Sequence, residues 1–217
     1  MKLESYLSKY TELKTLYELA EHDYRTEGLV HHNWNHILRD LARGVTIGEI
    51  EGANMKIVLA ATLLHDVGRL HPERSKDHYV AGMKTAPEYL KSAGFTRDET
   101  DQIVSCIKAH GPRGLEEPKT LEAKVCYDVD VLSHSCGTVG VARVFHFFVA
   151  EANFTVKQMM KIGSGIRGPR KSFYTQTGRK LGQKGYLKAK RFWKELSKEL
   201  GEEEKAIKKI IPEYEGD

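Results

Sequence analysis

The stretch "VLAATLLHD", residues 58–66, constrains this chain more than any other. Apart from Thr62, residues 58–64 are apolar, so the segment has no solvent face and must lie inside a core. It ends in His65 and Asp66. An imidazole and a carboxylate at the end of a buried helix cost desolvation free energy unless something offsets their charge. Other elements must therefore wrap this segment and bring a compensating partner to its end.

Helical periodicity supplies those elements. "LESYLSKYTELKTLYELAEHDY" places Leu3, Tyr6, Leu7, Tyr10, Leu13, Leu16, Tyr17 and Ala20 at three- and four-residue steps, which predicts one amphipathic helix. "NWNHILRDLARGV" predicts a second, capped by Asn33 or Asn35, and residues 54–66 a third, ended by Gly68 and Pro72. "DHYVAGMKTAPEYLKSAG" reads as helical despite Pro87. In "TRDETDQIVSCIKAHG", Thr96 with Glu99 three residues later forms a capping-box pattern. Further helices are predicted over 119–133, 138–151 and 174–200, with 163–171 as a glycine-rich loop. No alternating strand pair and no internal repeat is evident. The expected fold class is all-α, a single domain over 1–217, with its core motifs in 30–145 and a basic helical arm over 157–217.

Composition narrows the setting. No apolar stretch approaches the roughly 20 residues that a membrane-spanning helix needs. "MKLESYLSKY" carries charges where a secretory signal would be apolar. Cys106, Cys126 and Cys136 are odd in number and lack a C-x-x-C spacing, so neither a disulfide framework nor a zinc knuckle is implied, and a cytoplasmic location is expected. The net charge of +4 conceals an asymmetry: residues 157–194 hold twelve Lys or Arg and no Asp or Glu. Such a stretch is either a solvated helix face or a surface for an anionic ligand, nucleic acid included.

Of the ten histidines, several fall at helix ends. His36 lies one turn into the second helix, with His32 four residues before it. His65 and Asp66 end the third helix, His78 opens the next, and His110 closes the one after. Asp128 and Asp130 interrupt the otherwise apolar "AKVCYDVDVL". One polar residue on each of several helices is how a bundle builds a metal site in its core. Imidazole with carboxylate suits iron, manganese, zinc or nickel, and the metal would be the compensating partner of His65 and Asp66. A single histidine at a helix terminus is more often a cap or a satisfied core residue, so the weight lies in the ordered series. His32, His71 and His134 read as surface polar residues, and Asp128 as a residue orienting a ligand histidine or Lys124.

These motifs resemble those of the HD-domain superfamily of metal-dependent phosphohydrolases. "HHNWNHILRD" looks like the first histidine motif and "AATLLHDVGRL" like the motif that names the family. "DHYVAG" and "IKAHG" are similar to the extra histidine motifs of dinuclear members. "LEAKVCYDVDVLSHSCGTVGVAR" is similar to the final aspartate motif of a bacterial and archaeal branch, and the likeness extends over residues 30–200. Asp40 stands where that branch usually has an apolar residue, Ser133 where it has an acidic one, and Val131 where it has a basic one. Arg69 looks like the Lys or Arg of phosphodiester- and polyphosphate-cleaving members.

The resemblance implies an HD-type helical bundle holding one or two divalent transition-metal ions (Mn, Fe, Ni or Zn). His36, His65, Asp66 and Asp130 would hold one ion, and His78 and His110 a second, with Asp66 shared. In a mononuclear alternative, His78 and His110 would contact substrate phosphate or act as acid toward the leaving group. Arg69 and Arg143, with Arg167, Arg170 and Lys171 on the glycine-rich loop, would bind phosphate. The expected function is hydrolysis of a nucleotide or related phosphate ester. A di-iron oxygenase on the same scaffold and a nucleic-acid or nucleotide-binding module using 157–194 are the alternatives. Oligomeric state is not read from the sequence.

Overall fold

Residues Met55–Leu64 form a helix buried along nearly its whole length, and the other helices are laid around it. The coordinates are a computed structural model that describes residues 2–135, 137–163 and 173–215. Among the described residues the α-helices are α1 (Lys2–Lys9), α2 (Thr11–Glu27), α3 (Trp34–Glu51), α4 (Met55–Leu64), α5 (His78–Ala93), α6 (Arg97–Ala109), α7 (Leu121–Ser135), α8 (Gly137–Ala150), α9 (Val156–Gly163) and α10 (Gln176–Lys208). A 3-10 turn, Val67–Arg69, follows α4. No strand occurs among the described residues. The all-α expectation holds. No helix among them is long and apolar enough to cross a membrane.

Helix α4 contacts α2, α3, α6 and α7. Leu13, Leu16 and Ala20 of α2, Ile37 and Leu41 of α3, and Ile103 and Ile107 of α6 share a buried cluster with Leu59, Leu63 and Leu64. Removing each such side chain from water contributes roughly 1.5–3 kcal/mol. The ends are set by local chemistry. Asn33 caps α3 by accepting the His36 amide at 3.2 Å, and the Thr96–Glu99 capping box is formed. Pro87 lies within α5 without ending it.

Three boundaries differ from the sequence expectation. The N-terminal periodic run is two helices, because the backbone at Tyr10 is extended. The turn lets α1 swing onto α3, where Glu49 accepts Lys2 Nζ at 2.6 Å and Tyr6 Oη at 3.2 Å. Helix α9 lies outside the expected set, although Thr155 and Gln158 form its reciprocal cap with contacts of 2.8 and 3.3 Å. Helix α10 runs to Lys208, eight residues past the expected end.

Helix α10 packs on α7, α8 and α3. Its start is held by Asp128, which accepts the Tyr174 amide at 2.8 Å, the Thr175 amide at 2.8 Å and the Thr175 hydroxyl at 2.6 Å. Asp128 therefore anchors the basic arm and neither orients a ligand histidine nor pairs with Lys124: its position on α7 faces the α10 side of the helix. Asp128→Ala strands three donors and is expected to lower stability by about 3 kcal/mol, measured as the shift in urea midpoint. Asp128→Asn, which keeps one acceptor oxygen, should lose less.

Candidate metal centre

Side chains from α3, α4, α5, α6 and α7 converge on Asp66. His36 Nε2 and His65 Nε2 face each other at 3.1 Å, and Asp66 Oδ2 lies 3.3 Å and 3.2 Å from them. One ligand atom each from His36, Asp40, His65 and Asp130 falls within 4.8 Å of the others. Asp66, His78 and His110 form a second group by the same measure, with His78 Nε2 and His110 Nε2 3.7 Å and 3.8 Å from Asp66 Oδ1. The two groups thus meet at the two oxygens of one carboxylate. All six expected ligand residues come together.

Local structure aims these atoms. His65 Nδ1 donates to the Thr62 carbonyl at 2.8 Å and His110 Nδ1 to the Ile107 carbonyl at 2.5 Å. Each contact fixes the proton on Nδ1 and leaves the Nε2 lone pair for a ligand bond. His78 opens α5, which is capped by Asp77 accepting from the Tyr79 amide at 2.8 Å. Gly68 lets α5 approach: a Cβ there would lie 2.0 Å from the His78 carbonyl oxygen and 2.4 Å from the Gly82 amide nitrogen. Gly111, at φ +69°, is a second such place, since a Cβ would lie 2.6 Å from Asp130 Oδ2.

The electrostatics favour a cation here. Burial opposes charge on both members of the dipeptide. For Asp66, Arg69, His32 and His65 outweigh burial and hold the carboxyl well below its ordinary range. For His65, the carboxylates of Asp66, Asp130 and Asp40 outweigh burial and pull the imidazole up to about 10. Burial takes His78 down to about 3, so it is the neutral, ligating form at pH 7. Asp40 Oδ2 is buried with no hydrogen-bond partner, 3.5 Å from His36 Nε2. An unpartnered buried carboxylate oxygen beside convergent imidazoles is chemistry that fits a divalent transition metal.

Asp40 and Ser133, two of the departures from the family pattern, touch each other. The Ser133 hydroxyl donates to Asp40 Oδ1 in a short contact, and Arg43 donates to the same oxygen at 2.8 Å.

The anionic-ligand residues divide. Arg69 Nε donates to Asp66 Oδ1 at 2.6 Å, and Arg69 lines a cleft of about 420 Å³ that opens over the two ligand groups. Arg113 lines the same cleft, a residue outside the expected set. Arg143 does not line it. It lies on half-buried α8 near Arg39, Arg43 and Asp40, where burial first and then the Arg43 charge lower its pKa. Arg167, Arg170 and Lys171 lie outside the described residues. The surface reading of His32 and His134 is corrected: His32 is 2% exposed and lines the cleft with His134, whose Nδ1 is 3.1 Å from Asp130 Oδ1. His71 contacts Glu73 and Tyr89 away from the cleft.

Residues 33–135 match the HD domain family model, and the helical bundle is similar to HD-superfamily structures in fold. The chain is 29% identical over 154 residues to the protein YpgQ of Bacillus subtilis (strain 168), covering 69% of this chain and 68% of that one. It is 24% identical over 189 residues to ribonuclease Y of Mycoplasma mycoides subsp. mycoides, covering 81% of this chain but only 34% of that protein. Among solved structures, a predicted HD superfamily hydrolase from an uncultured Thermotogales bacterium matches 92% of this chain and 99% of its own, with TM-score 0.66 and 23% identity. Bacillus subtilis YpgQ in complex with ADP matches 87% of this chain and 96% of its own, with TM-score 0.62 and 24% identity.

If the two groups around Asp66 each hold an ion, His78→Ala/His110→Ala should bind one ion fewer per chain than wild type under saturating manganese, counted by elemental analysis. Arg69→Ala should keep the wild-type count, because it removes a competitor for Asp66 Oδ1 and no ligand.

Proposed function

We propose that this protein hydrolyses a nucleotide or related phosphate ester with a dinuclear metal centre. The observation that carries the reading is the position of the Asp66 carboxylate, Oδ2 beside His36 and His65 and Oδ1 beside His78 and His110, beneath a cleft lined by Arg69 and Arg113. His36, His65, Asp66 and Asp130 would hold one ion and Asp66, His78 and His110 the other, with Asp40 beside the first. A divalent metal there supplies Lewis acidity toward phosphate oxygens and lowers the pKa of a water from about 15.7 to about 7. Arg69 orients Asp66 through Nε, its Nη2 lies 3.4 Å from His78 Nε2, and Nη1 would be left for phosphate. His65 and His110, held by backbone carbonyls, keep their rings from rotating as substrate charge approaches.

The nucleotide part of the reading is supported by YpgQ, a relative of similar fold solved in complex with ADP. A phosphodiester is the second reading. It is favoured by the acid-free stretch over 157–194 and by the likeness to ribonuclease Y over that protein's matching third.

The test is a phosphate-release screen across nucleoside mono-, di- and triphosphates and a dinucleotide, with manganese, iron, nickel and magnesium. Release from at least one nucleotide, abolished in His65→Ala, is the expected result. Oxygen uptake coupled to substrate loss, without phosphate release, would instead identify oxygenase chemistry. On the active substrate, Arg167→Ala/Arg170→Ala should raise KM several-fold with turnover little changed. Unchanged KM would remove the basic loop from substrate binding.

A further inference from the structure

We propose that His31, His32 and His134 form an additional transition-metal site, distinct from the two groups that meet at Asp66. One ring nitrogen from each lies within 4.8 Å of the others. His31 Nε2 and His134 Nε2 face each other at 3.3 Å. Two imidazole nitrogens each about 2.0–2.1 Å from a tetrahedral ion lie about 3.3–3.4 Å apart, so this spacing already suits one ion between them.

Carboxylates set the direction of two of the three rings. Glu151, at the end of α8, takes His32 Nδ1 in a short hydrogen bond through Oε2. Its Oε1 accepts the backbone amides of His31 and His32 at 2.6 Å and 3.1 Å, which clamps the loop that carries both histidines. Asp130 does the same for His134, whose Nδ1 is 3.1 Å from Oδ1 and 3.0 Å from the Asp130 carbonyl oxygen. A carboxylate on Nδ1 fixes the tautomer and leaves Nε2 basic, the arrangement that orients metal-ligating histidines; His32 Nε2 also lies 3.8 Å from Asp66 Oδ2, so the site adjoins the Asp66 centre. A plain His31–His134 hydrogen bond would account for one contact but not for the alignment of His32 by Glu151.

The site is enclosed on one side and open on the other. His31 and His32 are 4% and 2% exposed, whereas the His134 side chain keeps 22% of its exposure and lines the cleft with His32. Three imidazole ligands select zinc, cobalt, nickel or copper over magnesium or calcium. The open coordination position would face whatever occupies the cleft. Asp130 links the two centres, since its carboxylate belongs to the His36–His65 group and also aligns His134.

The experiment uses the full chain, stripped with chelator and titrated with zinc and with cobalt. Ions per chain are counted by elemental analysis, and tetrahedral cobalt is followed by its visible absorption. Wild type should bind one ion more than His31→Gln, with both folded by circular dichroism. Glu151→Gln should weaken the extra cobalt 10–100-fold. His65→Ala should lose an ion at the Asp66 centre and keep the extra cobalt absorption, so failure of the hydrolase reading is read separately. Equal counts in wild type and His31→Gln overturn the proposal. Should His31→Gln not fold, unchanged cobalt affinity in Glu151→Gln overturns it.

Discussion

The carboxylate of Asp66, 2% exposed at the end of the most buried helix, is the constraint on which the rest of the site depends. An ionised carboxylate in such a place is expensive unless its charge is met. The chain meets it from every side: Arg69 on Oδ1 at 2.6 Å, His36 and His65 beside Oδ2, His78 and His110 beyond Oδ1. Asp40 and Asp130 add negative charge to the same space. The site is thus over-supplied with acceptors and short of donors, which is the condition of a cation site and not of a self-satisfied polar core.

That arrangement is held by backbone contacts more than by the ligands themselves. The carbonyls of Thr62 and Ile107 each hold a histidine three residues later, so a helix terminus doubles as a ring clamp. The approach of the Val67–Arg69 turn to α5 at Gly68 sets how near His78 comes to Asp66. Any side chain at position 68 would push these elements apart before it touched a ligand.

The convergence of the six candidate ligand residues was legible in the sequence because each sits at a helix end or on an apolar stripe, where a polar residue is out of place. The helices were legible for the same reason, save at Tyr10, where the extended backbone lets α1 reach Glu49 of α3, 43 residues from Tyr6 in sequence. What stayed hidden depends on contacts across long separations. Glu151 meets His31 and His32 about 120 residues away, and no local pattern marks it. Asp40 and Ser133 meet across α3 and α7, a contact that no local pattern marks. Asp128 stands next but one to Asp130 on α7, and only the helical turn between them separates an anchor for α10 from a member of the metal group.

The cleft above Asp66 has a mixed lining, which bears on what could fill it. Histidine and aspartate contribute polar groups, and Val131, Val144, Phe147, Phe148 and Trp193 contribute apolar surface. Val131, next to Asp130 on α7, contributes apolar surface to this lining. Apolar surface gives about 25 cal/mol per Å² of area removed from water, but it rewards only the uncharged part of a ligand. Trp193 Nε1 is buried without a hydrogen-bond partner among the described residues. Under the proposed phosphohydrolase reading, a phosphate alone would engage the polar groups and leave the apolar lining unused, whereas a ligand that joins a phosphate to an apolar group would use both.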